Sequence, residues 1–162
     1  MKLRTVTLVH QHGETFTSKT GTGRAYVFGD VLAKNEYSPV ESILASLAGC
    51  TAMDVITILE KKRQVIERYE IDAVGEQRDE YPQVLTEVTV THEVWGTNLA
   101  EAAIRRAIEL SATKYCPVNA MVSAGATQVH HRYRIHSDGE RPYEAEGEVI
   151  ATGPYRRPDV LT

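Results

Sequence analysis

Apolar and polar residues alternate in three short stretches near the start of the chain: "LRTVTLVH" (3–10), "ETFTS" (14–18) and "RAYVF" (24–28). Period-two alternation marks a strand with one covered face, and the turn formers "QHG" and "KTGTG" break the runs. The pattern predicts a meander of short antiparallel strands. After the loop-like "GDVLAKNEYSP" the period changes, and Ile43, Leu44, Leu47, Ala48, Val55, Ile58 and Leu59 recur at helical spacing. Ser38 is a good N-cap, Pro39 suits the first helical position, and Glu41 puts an acid in the first turn. The closing "EKKRQ" brings cations to the negative end of the helix dipole. Ala45, Ala48, Gly49 and Ala52 leave much of this helix small-sided, which predicts a central helix closely covered on most sides.

Two longer strand patterns follow, Val65 to Arg78 and Val84 to Trp95, joined by the hairpin loop "DEYPQ". In the second, Val84, Val88, Val90 and Val94 share one face, and Glu87, Thr89, Thr91 and Glu93 share the other. "NLAEAAIRRAIELSATKY" (98–115) reads as a helix capped by Asn98 and Glu101, with Leu99, Ala103, Ala107 and Leu110 as its apolar stripe. It must stop near Tyr115, because Pro117 disfavours helical geometry at Cys116. "PVNAMVSAG" is a short third helix, and "TQVHHRYRIH" (127–136) is a last strand. Residues 137–162 hold three of the six prolines and little core pattern; they read as a C-terminal extension with one short strand at "GEVIA". The expected fold class is α+β, an antiparallel sheet with two central helices, in a domain of residues 1–136.

Composition narrows the function classes. A chain of 162 residues with net charge −4 argues against nucleic acid as a partner. The start lacks a secretory pattern, and the longest uncharged apolar stretch, Ser42 to Met53, ends at Asp54, short of a membrane span. Two cysteines are too few for a disulfide scaffold, so the expectation is a cytoplasmic protein with reduced thiols. Candidate chemistry is sparse. His130 and His136 fall on one strand face and His131 on the other, while His10 and His12 share a face; no spacing gives three or four converging metal ligands. These histidines read as solvated strand residues, with no metal and no cofactor expected. A Gly-rich phosphate loop and a serine nucleophile elbow are both missing.

The cysteines remain. Cys116 stands at the start of a short helix, where unpaired N–H groups favour a thiolate, whereas Cys50 sits mid-helix without that help. Two unrelated buried thiols are the ordinary alternative. The motif "SPVESILASLAGCTAMDV" (38–55), followed by "KYCPVNAMV" (114–122), resembles the OsmC/Ohr family of osmotically induced and organic-hydroperoxide-resistance proteins, over roughly residues 1–136. The resemblance implies an intertwined homodimer with buried central helices and sites at the subunit interface. It also implies a reaction: Cys50 attacks a small apolar hydroperoxide and becomes a sulfenic acid, Cys116 resolves it as a disulfide, and a dithiol such as a lipoyl group reduces the pair.

The peroxidase members carry a Glu directly after Asn-Pro, paired with an upstream Arg. Here Val40 follows Ser38-Pro39, Glu41 lies one position later, and the preceding loop has no arginine, Arg24 being the nearest upstream. Arg24 reads as an exposed strand charge and Glu41 as a helix-initiating acid. The sequence thus resembles a divergent, YhfA-like branch of the family. Two function classes stay open: a thiol-dependent peroxidase in oxidative-stress defence, and a non-catalytic or redox-sensing dimer that binds a small apolar ligand.

Overall fold

The computed structural model describes residues 3–29 and 37–153. Most of the loop read at 29–39, and the last nine residues of the C-terminal extension, lie outside the described residues. The chain divides into two compact units, Met1–Ile43 and Leu44–Thr162.

The first unit is the expected meander. Strands β1 (Val6–His12), β2 (Thr15–Thr20) and β3 (Ala25–Phe28) form an antiparallel sheet in that order. Gly13 takes φ +50° in the β1–β2 turn, a region that favours glycine. No residue of β1 is buried, and Val6, Leu8 and Val9 are each about half exposed. Helix α1 (Pro39–Lys61) begins at the end of this unit. The Glu41 N–H donates to Ser38 Oγ (3.1 Å) and the Ser38 N–H donates to Glu41 Oε2 (3.0 Å). This reciprocal capping box gives Glu41 the initiating role expected of it.

The second unit is built on a four-stranded sheet of β4 (Val65–Gln77), β5 (Leu85–Thr97), β6 (Gln128–Asp138) and β7 (Tyr143–Thr152), in that order. The outer pairs are antiparallel, but β5 and β6 run parallel. A parallel neighbour requires a crossover. Helix α2 (Glu101–Leu110), a π-helical turn (Ser111–Tyr115) and helix α3 (Pro117–Val122) supply it. The core joins α1 (Val55, Leu59), β5 (Val94), α2 (Ile104, Ala107, Ile108) and β6 (Tyr133, Ile135), with Leu99 between strand and helix. Each fully buried Leu, Ile or Val contributes about 1.5–3 kcal/mol relative to exposure.

Three expectations need correction. Asn98 does not cap α2: it sits at φ +50°, its N–H donates to the Asp138 carbonyl (2.7 Å), and its Oδ1 accepts from the Glu140 N–H (3.1 Å). The helix starts at Glu101, and its buried stripe is Ile104, Ala107 and Ile108, not Ala103 and Leu110. Residues 137–153 are not an appended tail. Strand β6 runs to Asp138, and the ten-residue β7 makes nine residue pairs along it, since alternating "YEAEGEVIAT" needs only one covered face. Within the single chain, α1 buries one stripe (Leu47, Thr51, Val55, Leu59) and leaves Ile43 and Met53 exposed. By length and composition it is apolar enough to cross a membrane, longer than the Ser42–Met53 stretch suggested, and 22% of its most apolar window is buried in this chain.

Ser38→Ala should lower the unfolding free energy by about 1 kcal/mol in a urea titration, the usual cost of losing an N-cap hydroxyl. Glu41→Gln keeps an acceptor for the Ser38 N–H, and should cost only the roughly 0.3–1 kcal/mol that a first-turn charge contributes.

Candidate functional site

Pro117 organises the second cysteine segment. The π-turn carries the Cys116 N–H to the Ser111 carbonyl (2.9 Å). The next N–H in that register would come from residue 117, and proline has none. The Ala112 carbonyl is therefore left over, and Asn119 Nδ2 donates to it at 2.8 Å. Cys116 is held extended (φ −74°, ψ 103°), as expected before proline, and its Sγ accepts the Asn119 backbone N–H at 3.3 Å.

This sulfur meets α1. Cys50 Sγ, a carboxylate oxygen of Asp54 and Cys116 Sγ all lie within 4.8 Å of one another. Cys50 and Asp54 are four residues apart on one helix and so share a face. The Thr51 hydroxyl is shared between the Leu47 carbonyl (2.8 Å) and Cys116 Sγ (3.7 Å), and the Ser111 hydroxyl donates to Asp54 Oδ2 (2.9 Å). Cys50 is half-buried, whereas Cys116 is only 3% exposed. Both thiols are free. A disulfide needs sulfurs at about 2.05 Å, so side-chain rotation has to close less than about 3 Å.

The electrostatics of the cluster oppose ionisation. Burial, then the hydrogen bond to Cys116, then the charges of Cys116 and Asp54 push the Cys50 thiol from 9.0 up to about 11; only the Val118 backbone N–H pulls the other way. Among the described residues, no Lys or Arg is one of the groups that bear on it. Arg24 is exposed in the first unit, beside the β2–β3 turn, where its N–H donates to Thr20 Oγ1 (3.1 Å). Val40 is half-buried in the first turn of α1.

Residues 32–142 match the family described as OsmC-like protein. The chain belongs to that family. It is 34% identical to Protein YhfA of Escherichia coli K12 over 123 residues, 76% of this chain and 91% of the relative. An OsmC-like protein from Mycoplasma pneumoniae has the same fold, with TM-score 0.72 and 16% identity over 83% of this chain and 97% of the other. So has an organic hydroperoxide resistance protein from Elizabethkingia anophelis, with TM-score 0.62 and 12% identity over 85% of this chain and 98% of the other.

The histidines of this OsmC-like chain divide sharply. His10 and His12 are exposed on β1. His130 lies against Glu148 and Glu87, and His136 against Glu93 and Glu144, with Glu93 above all raising the His136 pKa. His131, read as solvated, is fully buried, and so is His92, which the sequence reading passed over. A chain of bonds runs from Tyr69 OH to His92 Nδ1 (2.7 Å), from His92 Nε2 to His131 Nδ1 (3.3 Å), and from His131 Nε2 to Asn119 Oδ1 (2.9 Å). The Ala112 carbonyl can only accept, so Asn119 Nδ2 faces it and Asn119 Oδ1 faces His131. With both rings neutral, each proton then has one place: His131 donates from Nε2, His92 donates from Nε2, and Tyr69 donates its hydroxyl. Burial first, then the neighbouring histidine, holds His92 well below its ordinary value, and burial, then His130, lowers His131 to about 4.

Asp54, Ser111, Asn119, His92 and His131 were the residues the sequence reading missed. Two signals were present: Asp54 is the one charge inside the apolar run, four residues after Cys50, and His92 continues the inward parity of Val88, Val90 and Val94.

The buried histidines should make stability fall with acid. Their folded pKa values lie below the ordinary 6.5, so the unfolded chain binds more protons once the pH drops under about 6.5. The contribution is fully present above that pH and is lost toward pH 4, with His131 alone supplying on the order of 3 kcal/mol. His136, held up by Glu93, works in the opposite sense. Urea midpoints between pH 7.5 and 5 should fall, and His131→Gln should flatten that slope.

Proposed function

We propose that this chain is a thiol-dependent reductase of organic hydroperoxides, with Cys50 as the sulfur that meets the peroxide and Cys116 as the one that resolves it. The observation that carries the reading is the approach of both sulfurs, within 4.8 Å, inside one chain. Membership of the OsmC-like family and the shared fold of an organic hydroperoxide resistance protein support it. Exposure supports this division of roles: Cys50 is half-buried, and Cys116 is closed off.

In the proposed reaction the Cys50 thiolate attacks the terminal oxygen of R–O–OH. The O–O bond breaks, the alkoxide takes a proton and leaves as an alcohol, and Cys50 becomes a sulfenic acid. The Cys116 sulfur then attacks Cys50 Sγ, water leaves, and the disulfide forms. An external dithiol, a lipoyl group for example, returns both thiols. With Cys50 raised to about 11, the reactive thiolate is a minor fraction at neutral pH, and the turnover is slow. The apolar surroundings of α1 suit a small apolar peroxide.

The working unit in this proposal is a cytoplasmic homodimer. A second copy would cover the half-exposed Val6, Leu8 and Val9 in the first unit and, separately, the exposed Met53 of α1 in the second. A Cβ at Gly49 would meet nothing within 4 Å, which leaves room for another backbone to approach α1. The raised Cys50 thiol also favours a second reading, a redox-sensing dimer that binds a small apolar ligand at the same place.

Thiol counting separates the two. Cumene hydroperoxide should consume both thiols of the wild type and leave a Cys50–Cys116 disulfide. Cys116→Ser should accumulate a trappable sulfenic acid at Cys50, and Cys50→Ser should react no faster than free cysteine. Rapid oxidation at Cys116 in Cys50→Ser reverses the roles, and two titratable thiols after wild-type exposure leave the sensing reading in its place. Light scattering at micromolar concentration should give twice the chain mass of 18.0 kDa. A particle of single mass counts against the dimer.

A further inference from the structure

An activated cysteine sits beside a cation or a cluster of donors. The cysteine pair here sits beside a carboxylate. Asp54 has one hydrogen-bond partner among the described residues, the Ser111 hydroxyl, and no Lys or Arg pairs with it. Two thiols and a carboxylate converge where a single positive charge would satisfy all three. Soft thiolates with one carboxylate suit a borderline-soft ion, and three protein ligands with a fourth position open is the pattern of an accessible zinc site.

The distances fit. Sulfurs bound tetrahedrally at about 2.3 Å from zinc lie about 3.8 Å apart. The three ligand atoms are already within 4.8 Å of one another, so side-chain rotation of at most roughly 1 Å per contact assembles the set. Outer partners that orient metal ligands are also in place. Ser111 Oγ holds Asp54 Oδ2 at 2.9 Å, the Asn119 N–H holds Cys116 Sγ at 3.3 Å, and the Thr51 hydroxyl approaches the same sulfur at 3.7 Å. Asn119 is itself fixed by Ala112 and His131, so Cys116 is presented by a rigid, buried support.

We propose that Cys50, Asp54 and Cys116 form a binding site for a thiophilic divalent cation, zinc in the first place, in the reduced chain. Binding breaks both S–H bonds, releases one proton from each thiol to solvent, and forms two metal–sulfur bonds and one metal–oxygen bond. No oxidant takes part. The bound ion masks both thiols, and joining them as a disulfide removes two ligands and expels the ion. The inference goes beyond the peroxidase reading and does not need it, because metal binding involves no peroxide.

The test is a titration of the reduced, metal-free full chain with Co²⁺ under anaerobic conditions, followed by Zn²⁺. The expected result is one Co²⁺ per chain, a sulfur-to-cobalt charge-transfer band, and loss of that band when Zn²⁺ displaces the probe. Cys50→Ser and Cys116→Ser should each weaken the band. Asp54→Asn should keep it but bind about tenfold more weakly or worse, at least the loss seen when outer partners alone are removed. Wild type carrying the Cys50–Cys116 disulfide should bind no cobalt with sulfur, a control that needs no variant to fold. A wild type with no charge-transfer band at stoichiometric cobalt, an undiminished band in either cysteine variant, or unchanged affinity in Asp54→Asn overturns the site. Failure of the peroxidase reading shows separately, as thiols that survive cumene hydroperoxide in the metal-free protein.

Discussion

Pro117 lacks the one N–H that the Ala112 carbonyl needs, and the second half of the site is arranged around that deficit. Asn119 fills it, so its amide is oriented: nitrogen toward Ala112, oxygen toward His131. Two buried histidines and a tyrosine then take a single proton arrangement. The same residue offers its backbone N–H to Cys116 Sγ. A buried polar chain of this kind is stabilising only when every member is satisfied, and here an acceptor-only carbonyl at one end sets the direction of each bond.

The site's charge balance is the second theme. Family resemblance and sulfur proximity point to thiol redox chemistry, but among the described residues the immediate surroundings of Cys50 hold a carboxylate and another thiol and no cation. Glu41 is engaged in a capping box with Ser38. Burial, Cys116 and Asp54 all push the Cys50 thiol up, which is why the peroxidase proposed for this chain is slow, whereas the proposed cation site rests on the convergence of Cys50, Asp54 and Cys116.

The exposed apolar surface has its own logic. A helix of 23 residues with one buried stripe, and a strand with no buried residue, leave apolar area that a small sheet cannot cover. The second copy proposed above would bury the same surfaces on both chains.

The local features were legible in the sequence because their causes are local. Ser38 and Glu41 are three residues apart, so the cap could be read from spacing, and the inward parity of Val88, Val90 and Val94 from period two. The two cysteine segments were legible through family resemblance, and Pro117 correctly ended α2 before Cys116. What the tertiary structure alone decided involves partners far apart in the chain. Asn98 lost its capping role to Glu140, 42 residues away, and Asp54 met Ser111 across 57 residues. The parallel pairing of β5 with β6 set His92 beside Tyr133 in register and let its ring reach His131 across the buried face, and neither strand's own alternation carries that information. Spacing along a chain fixes which face a residue takes; only packing decides whether that face is wet, and which charge it meets there.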